Sequence, residues 1–154
     1  MVCRMFRLET EVDRTRRDLL RSRLLAADTA ASPVLRALRG TPAGRETPLH
    51  VWAFDSADAG GELAGGLVGH TWTTWLHIAH LWVDERHRGR GLGTRLLTEA
   101  EHIAAHSRGC HRARLETWDF QAPDFYRRLG YKVACVIEDY PPGVTEYTLT
   151  KRLG

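Results

Sequence analysis

Cysteine is scarce in this chain: Cys3, Cys110 and Cys135 are an odd number, widely spaced, and belong to no CxxC pair. That excludes a disulfide framework or a zinc ribbon and fits a reducing, cytoplasmic setting. Long hydrophobic runs are also missing. None approaches the roughly 20 residues needed to cross a bilayer, and Met1-Val2-Cys3-Arg4-Met5-Phe6-Arg7 lacks the apolar centre of a secretory signal. Neither a membrane nor secretion is expected. A strong excess of one charge is absent as well: 22 Lys and Arg face 19 Asp and Glu, for a formal charge of +3. Such a balance favours anionic ligands only weakly. Arg14, Arg16, Arg17, Arg21 and Arg23 sit in a helical pattern without a nucleic-acid-binding motif and read as a solvated helix face, so no nucleic acid is expected. Repeats and low-complexity tracts are lacking too.

What remains is an ordinary globular composition in 154 residues, enough for one domain, 1–154, whose core needs no disulfide or structural metal. Between Glu11 and Ala27 the residues Val12, Leu19, Leu20, Leu24 and Leu25 recur at near-helical spacing, with Asp13 as a natural N-cap. A short helix over Val34 to Leu38 follows Ser32-Pro33. Strands are expected over Leu49–Phe54, Leu63–Trp72 and Trp75–Val83, the first two joined by the turn Asp55-Ser56-Ala57-Asp58-Ala59-Gly60-Gly61. Leu92, Leu96, Leu97, Ala100, Ile103 and Ala104 mark one face of a helix from Gly91 to about Ser107, with Gly109 as its stop. A strand over Arg112–Thr117, a short helix over Pro123–Leu129, and strands over Tyr131–Ile137 and Glu146–Arg152 complete the chain. The order, read as β, two helices, three strands, helix, strand, helix, two strands, argues an α/β fold with helices packed on a mixed sheet.

The most informative segment is Arg88-Gly89-Arg90-Gly91-Leu92-Gly93, between a strand and a helix. A helix N-terminus presents unpaired N–H groups at the positive end of its dipole, which suits an anion. Gly91 and Gly93 let the backbone approach closely, and Arg88 and Arg90 can add charge-assisted hydrogen bonds. A pyrophosphate is the natural ligand. The loop fits neither the G-x-G-x-x-G dinucleotide fingerprint nor a P-loop, whose last glycine precedes Lys and Ser or Thr.

Val83-Asp84-Glu85-Arg86-His87-Arg88-Gly89-Arg90-Gly91-Leu92-Gly93-Thr94-Arg95-Leu96-Leu97 resembles the acetyl-CoA motif, R/Q-x-x-G-x-G/A, of the GNAT superfamily of N-acetyltransferases. The stretch from Leu115 to Lys132, with Ala122-Pro123-Asp124-Phe125-Tyr126-Arg127-Arg128-Leu129-Gly130-Tyr131, resembles the strand and helix that follow it in that family. The likeness runs from about Leu63 to the C-terminus and is weak before it, where such proteins build much of the acceptor side.

The resemblance implies a central, mostly antiparallel sheet splayed at the acetyl-CoA cleft and flanked by about four helices. It also implies acetyl-CoA as co-substrate, no metal, and acetyl transfer to a primary amine within a ternary complex. Trp82 and Val83 would offer backbone groups to the pantetheine arm, and Arg88, Gly89, Arg90, Gly91, Leu92, Gly93 and Thr94 would hold the pyrophosphate. Gln121 stands where many relatives place an Asn that contacts the cofactor. Tyr126 aligns with the tyrosine that protonates the departing thiolate. Two residues compete as general base: Glu116, on the strand beside the cleft and on one face with Arg114 and Trp118, and His77, six residues before Val83. The acceptor is an amine-bearing small molecule or a peptide, and the resemblance allows a homodimer. Two other readings stand beside this one, a non-catalytic acyl-CoA-binding module and a protein acetyltransferase acting on lysine or N-terminal amines.

Three patterns are set aside. His102 and His106 have the i, i+4 spacing of metal ligands but no acidic third ligand. Cys110-His111 falls at a helix-to-strand turn with no orienting acid. Trp72, Trp75 and Trp82 read mainly as sheet packing, with Trp75 a candidate for an acceptor wall.

Overall fold

The computed structural model describes residues 7–56 and 60–154. The chain forms two compact units, residues 1–41 and 42–154. In the first, helix α1 (Arg14–Ala31) begins at Asp13, whose side chain accepts from the Arg16 N–H at 2.9 Å. That bond satisfies one of the donors a helix N-terminus leaves open. Ser32 ends α1 and starts α2 (Pro33–Leu38): its N–H reaches the Asp28 carbonyl and its side chain accepts from the Leu35 N–H at 3.2 Å. Pro33 then occupies the first helical turn, where its missing N–H costs nothing. The expected opening strand is not found over residues 7–13, and residues 1–6, including Cys3, lie outside the described part.

The second unit is a six-stranded sheet in the order β1-β2-β3-β4-β6-β5. Its strands are β1 (Thr47–Phe54), β2 (Leu63–Trp72), β3 (Trp75–Val83), β4 (Arg112–Trp118), β5 (Lys132–Ile137) and β6 (Glu146–Arg152). Helix α3 (Leu92–His102) joins β3 to β4, and α4 (Pro123–Arg128) lies between β4 and β5. Every neighbouring pair is antiparallel except β3 and β4. The expected strand and helix positions agree with these bounds to within a few residues. The β1–β2 turn is described only in part, residues 57–59 lying outside; Asp55 and Glu62 close it with bonds of 3.0 and 2.9 Å.

One face of the sheet carries the core. Leu49, Leu67, Leu76, Ile78, Ala113, Leu115 and Leu149 are nearly sealed from solvent and pack with Leu96, Leu97, Ala100 and Ala104 of the α3 segment. Strand alternation therefore sends Arg112, Arg114, Glu116 and Trp118 to the opposite face. Past His102 the α3 rod loosens into a π-type turn, Ile103–Ser107, before Gly109, at φ +65°, reverses the chain. The Cys110 N–H then returns to the Ala104 carbonyl at 2.9 Å.

Candidate active site

β3 and β4 run parallel and pair over only four positions, Trp75–Ile78 against Arg112–Leu115. Beyond Ile78 the β2–β3 register slips by one residue, with Gly69 opposite Ile78 and Val68 opposite His80. Such a bulge bends its strand, and it falls where β3 leaves β4. Gly69 makes the slip sterically feasible, because a Cβ there would lie 2.4 Å from the His77 carbonyl oxygen. β4, meanwhile, stays paired with β6 as far as Trp118 and Glu146. The result is a wedge between two strands of one sheet, with backbone edges on both sides that no neighbouring strand satisfies.

A cavity of about 850 Å³ fills that wedge, lined by residues of β3, β4 and the turn into α4. A second, of about 500 Å³, covers the loop ahead of α3. Leu81, Val83, Arg88, Gln121, Ala122 and Tyr126 line both, so the two form one continuous groove. The loop leaves backbone donors open. Asp84 caps the turn Glu85–His87 through the Arg86 N–H at 2.9 Å, and Gly89 and Gly91 take φ of +72° and +77°. Such values strain any residue with a Cβ. Gly91 is the N-cap of α3 and supplies no side-chain acceptor, so the first-turn N–H groups, those of Leu92, Gly93 and Thr94, are left for a ligand. Nothing lies within 4 Å of a Cβ built on Gly91. Gly93 is small for a different reason: its Cβ would sit 3.4 Å from the Phe125 ring, where α3 and α4 meet.

Not every loop residue turns inward. Leu92, Gly93, Thr94, Gly89 and Gly91 line the second cavity together with Arg88, His87 and Arg128, but Arg90 lines neither cavity. Arg88 donates from Nε to the Val83 carbonyl at 3.0 Å, pinning its guanidinium across the groove. That bond occupies one of the two backbone groups expected to meet a pantetheine arm. Trp82 lines the first cavity only. Gln121 lines both, and its Oε1 accepts a long, 3.4 Å bond from the Trp118 N–H, leaving its amide donors to the groove.

Tyr126 stands where the cavities join. Its ring meets Phe125 and Tyr131 edge to face at 5.0 and 5.9 Å. Tyr131 is itself anchored, its hydroxyl donating to Glu101 at 2.8 Å, with Lys151 on the other carboxylate oxygen at 2.6 Å. By contrast the Tyr126 hydroxyl has no partner among the described residues, an uncommon state for a half-buried tyrosine. Burial pushes its pKa up, so the hydroxyl keeps its proton at neutral pH.

The two candidate bases turn out to be partners. His77 Nε2 lies 2.8 Å from Glu116 Oε2, and Arg114 donates to Glu116 Oε1. Burial pushes the Glu116 carboxyl up, but the hydrogen bonds from Arg114 and His77 outweigh it and hold the group below the usual carboxylate range. An ionised carboxylate only accepts, so His77 Nε2 carries the proton and Nδ1 is where the ring can take another. Glu116 lines the cavity; His77 stands behind it. Behind His77 in turn stands His70 of β2, its cross-strand neighbour, with ring centroids 5.0 Å apart at 86°. His70, Phe120 and Glu146 escape sequence reasoning because only cross-strand register and the fold of one turn bring them near the site.

Of the patterns set aside, His102 and His106 stack at 4.3 Å on the α3 segment, and no group of three metal-binding side chains occurs among the described residues. Cys110 is buried, which pushes its thiol up and away from the reactive thiolate.

A sheet splayed at its one parallel pair, with a glycine-rich helix N-terminus and a tyrosine at the seam, is the framework of an acyltransferase that holds a nucleotide thioester. The sequence profile described as the acetyltransferase (GNAT) family matches residues 12–131, and the chain belongs to that family; it is an acetyltransferase, with acetyl-CoA as co-substrate. Among curated proteins it is 52% identical over 131 residues to the blasticidin-S acetyltransferase of Streptomyces morookaense, covering 85% of this chain and 96% of that one. Among solved structures it resembles an acetyltransferase from Bacillus cereus, at 29% identity and TM-score 0.75, covering 96% and 98% of the two chains. It also resembles nourseothricin acetyltransferase, at 25% identity and TM-score 0.59, over 70% of this chain and 66% of that one.

Proposed function

We propose that this acetyltransferase moves the acetyl group of acetyl-CoA onto a primary amine of a small antibiotic-like molecule, by direct attack within a ternary complex. The observation that carries this reading is that Glu116, already paired with His77, and the unpartnered Tyr126 hydroxyl line one cavity continuous with the glycine-rich loop. The whole chain, 1–154, acts as one acetyltransferase domain in this reading, since the family match crosses both compact units. A cytoplasmic setting would keep Cys110 and Cys135 as the free thiols they are.

The donor's anionic end fits the loop, where the Leu92, Gly93 and Thr94 N–H groups meet the pyrophosphate at the positive end of α3, assisted by Arg88. The thioester then lies at the wedge. An amine must shed a proton to attack, and the Glu116 carboxylate, which lines the cavity, takes it up while the His77 Nε2–H holds that carboxylate in place. As the new N–C bond forms and the C–S bond breaks, Tyr126 gives its hydroxyl proton to the departing sulfur. Burial raises its pKa, so the proton is present on the hydroxyl at neutral pH. A small-molecule acceptor is supported by the relatives named for blasticidin S and nourseothricin.

The test is direct. Incubation of the protein with acetyl-CoA and blasticidin S should release free CoA thiol and add one acetyl group to the acceptor by mass spectrometry. If neither blasticidin S nor any member of a broad amine panel raises thiol release above hydrolysis, the small-molecule reading fails.

A further inference from the structure

The groove is electrically polarised. At the loop end Arg88 and Arg128 face it, as a pyrophosphate requires; at the other end the walls carry two carboxylates, Glu116 and Glu146. These differ in one respect that matters. Glu116 is committed to Arg114 and His77, whereas Glu146 has no hydrogen bond or ion pair among the described residues. A carboxylate facing a cavity without a counter-charge is a place for a cation.

Beside Glu146, in register across β4 and β6, stands Trp118. Its ring is 5.4 Å from that of Phe120 at 34°, and Phe120 is 67% exposed. Both rings line the cavity and so offer a broad aromatic wall. The Trp118 Nε1–H is shut off from solvent and has no acceptor among the described residues, so the indole offers the groove its ring and not its N–H.

Resting on the small-molecule reading above, we infer that Trp118, Phe120 and Glu146 form an acceptor subsite for a flat cationic group. The acceptor thus carries a second, positively charged planar function apart from the amine that is acetylated. The aromatic faces stack on that function and attract its charge, and Glu146 pairs with it. Glu146 selects the substrate; Glu116 and His77 handle the proton.

The experiment compares two isosteric acceptors, 4-(aminomethyl)benzamidine and 4-(aminomethyl)benzamide, which share a primary amine and a flat ring and differ in the remote charge. Wild-type protein should prefer the amidine by about tenfold in kcat/KM, the scale of one charge-assisted contact at a partly solvated site. In Glu146→Gln that preference should fall to near parity, while CoA affinity by calorimetry stays unchanged. Trp118→Leu should raise KM for both acceptors and leave CoA affinity alone. A wild type indifferent to the charge, or a Glu146→Gln variant that keeps the preference, overturns the subsite but not the small-molecule reading. Failure of both probes and of blasticidin S as acceptors, with CoA still bound, overturns the two together.

Discussion

β3 and β4 are one strand pair with two fates. Over Trp75–Ile78 and Arg112–Leu115 the ladder closes, and Leu76, Ile78, Ala113 and Leu115 are sealed beneath α3. Over the following residues the ladder is withheld, and the same strands present Leu81, Val83, Glu116 and Trp118 to a cavity. Side-chain types change with the fate. Aliphatic residues fill the core face of the closed half, where packing is the only requirement, while His77 and Arg114 on its other face, and Glu116 and Trp118 where the strands part, carry the polar groups. Packing thus holds the core face of the paired stretch, and the polar groups gather on the opposite face and where the strands part, with a bulge at the boundary.

Breaking the closed half should cost stability and little else. Leu76→Ala removes a side chain that is 0% exposed in the core and lines neither cavity, and unfolding by urea should show a loss of about 2–5 kcal/mol. The protein that remains folded should bind CoA as before; a large fall in CoA affinity would mean that the two halves are not separable.

The open half should behave the other way. Tyr126→Phe deletes a hydroxyl with no partner among the described residues, so the melting temperature should barely move, whereas kcat should drop about 10²-fold, the usual loss for a general acid. A stability loss with kcat intact would reassign Tyr126 to the core beside Phe125 and Tyr131.

The glycine-rich loop sharpens the contrast. Gly91→Val should weaken CoA binding by about thirtyfold, or roughly 2 kcal/mol. The structure adds a second cost. At φ +77° any side chain is strained, and a β-branched one most of all, so a fall in melting temperature should accompany the loss in affinity. Gly91→Ala separates the effects: it keeps about 1 kcal/mol of left-handed strain while adding little bulk. Calorimetry on folded Gly91→Val that shows unchanged CoA affinity would place the phosphates elsewhere.

Much of this was legible in the chain. Runs of strand-forming residues bounded by turns placed Leu63–Trp72, Trp75–Val83 and Glu146–Arg152 at their observed bounds, because β-branched, aromatic and aliphatic side chains between turn residues are a local signature of strands. Asp13 capped the first helix as its position suggested. Arg88 to Thr94 stood out as a tight turn into a helix with open N–H groups, since a glycine-rich helix entry has the same local geometry wherever it occurs. Arg90, however, lines neither cavity, and the carbonyl of Val83 is taken by Arg88; side-chain directions in a turn depend on neighbours that local sequence does not name.

The order of elements from the first helix onward, the glycine-rich turn into α3 and the identities of Tyr126, Glu116 and His77 as chemical groups were determined by the sequence itself, because propensity, periodicity and capping act within a few residues. Tertiary structure alone decided that Glu116 and His77, 39 positions apart, are a hydrogen-bonded pair rather than rivals, that His70 stands behind them, and that Glu146 faces the cavity beside Trp118. Those facts follow from strand order and register, which set distances between residues far apart in the chain. A single register step would have turned each of these side chains to the other face of the sheet.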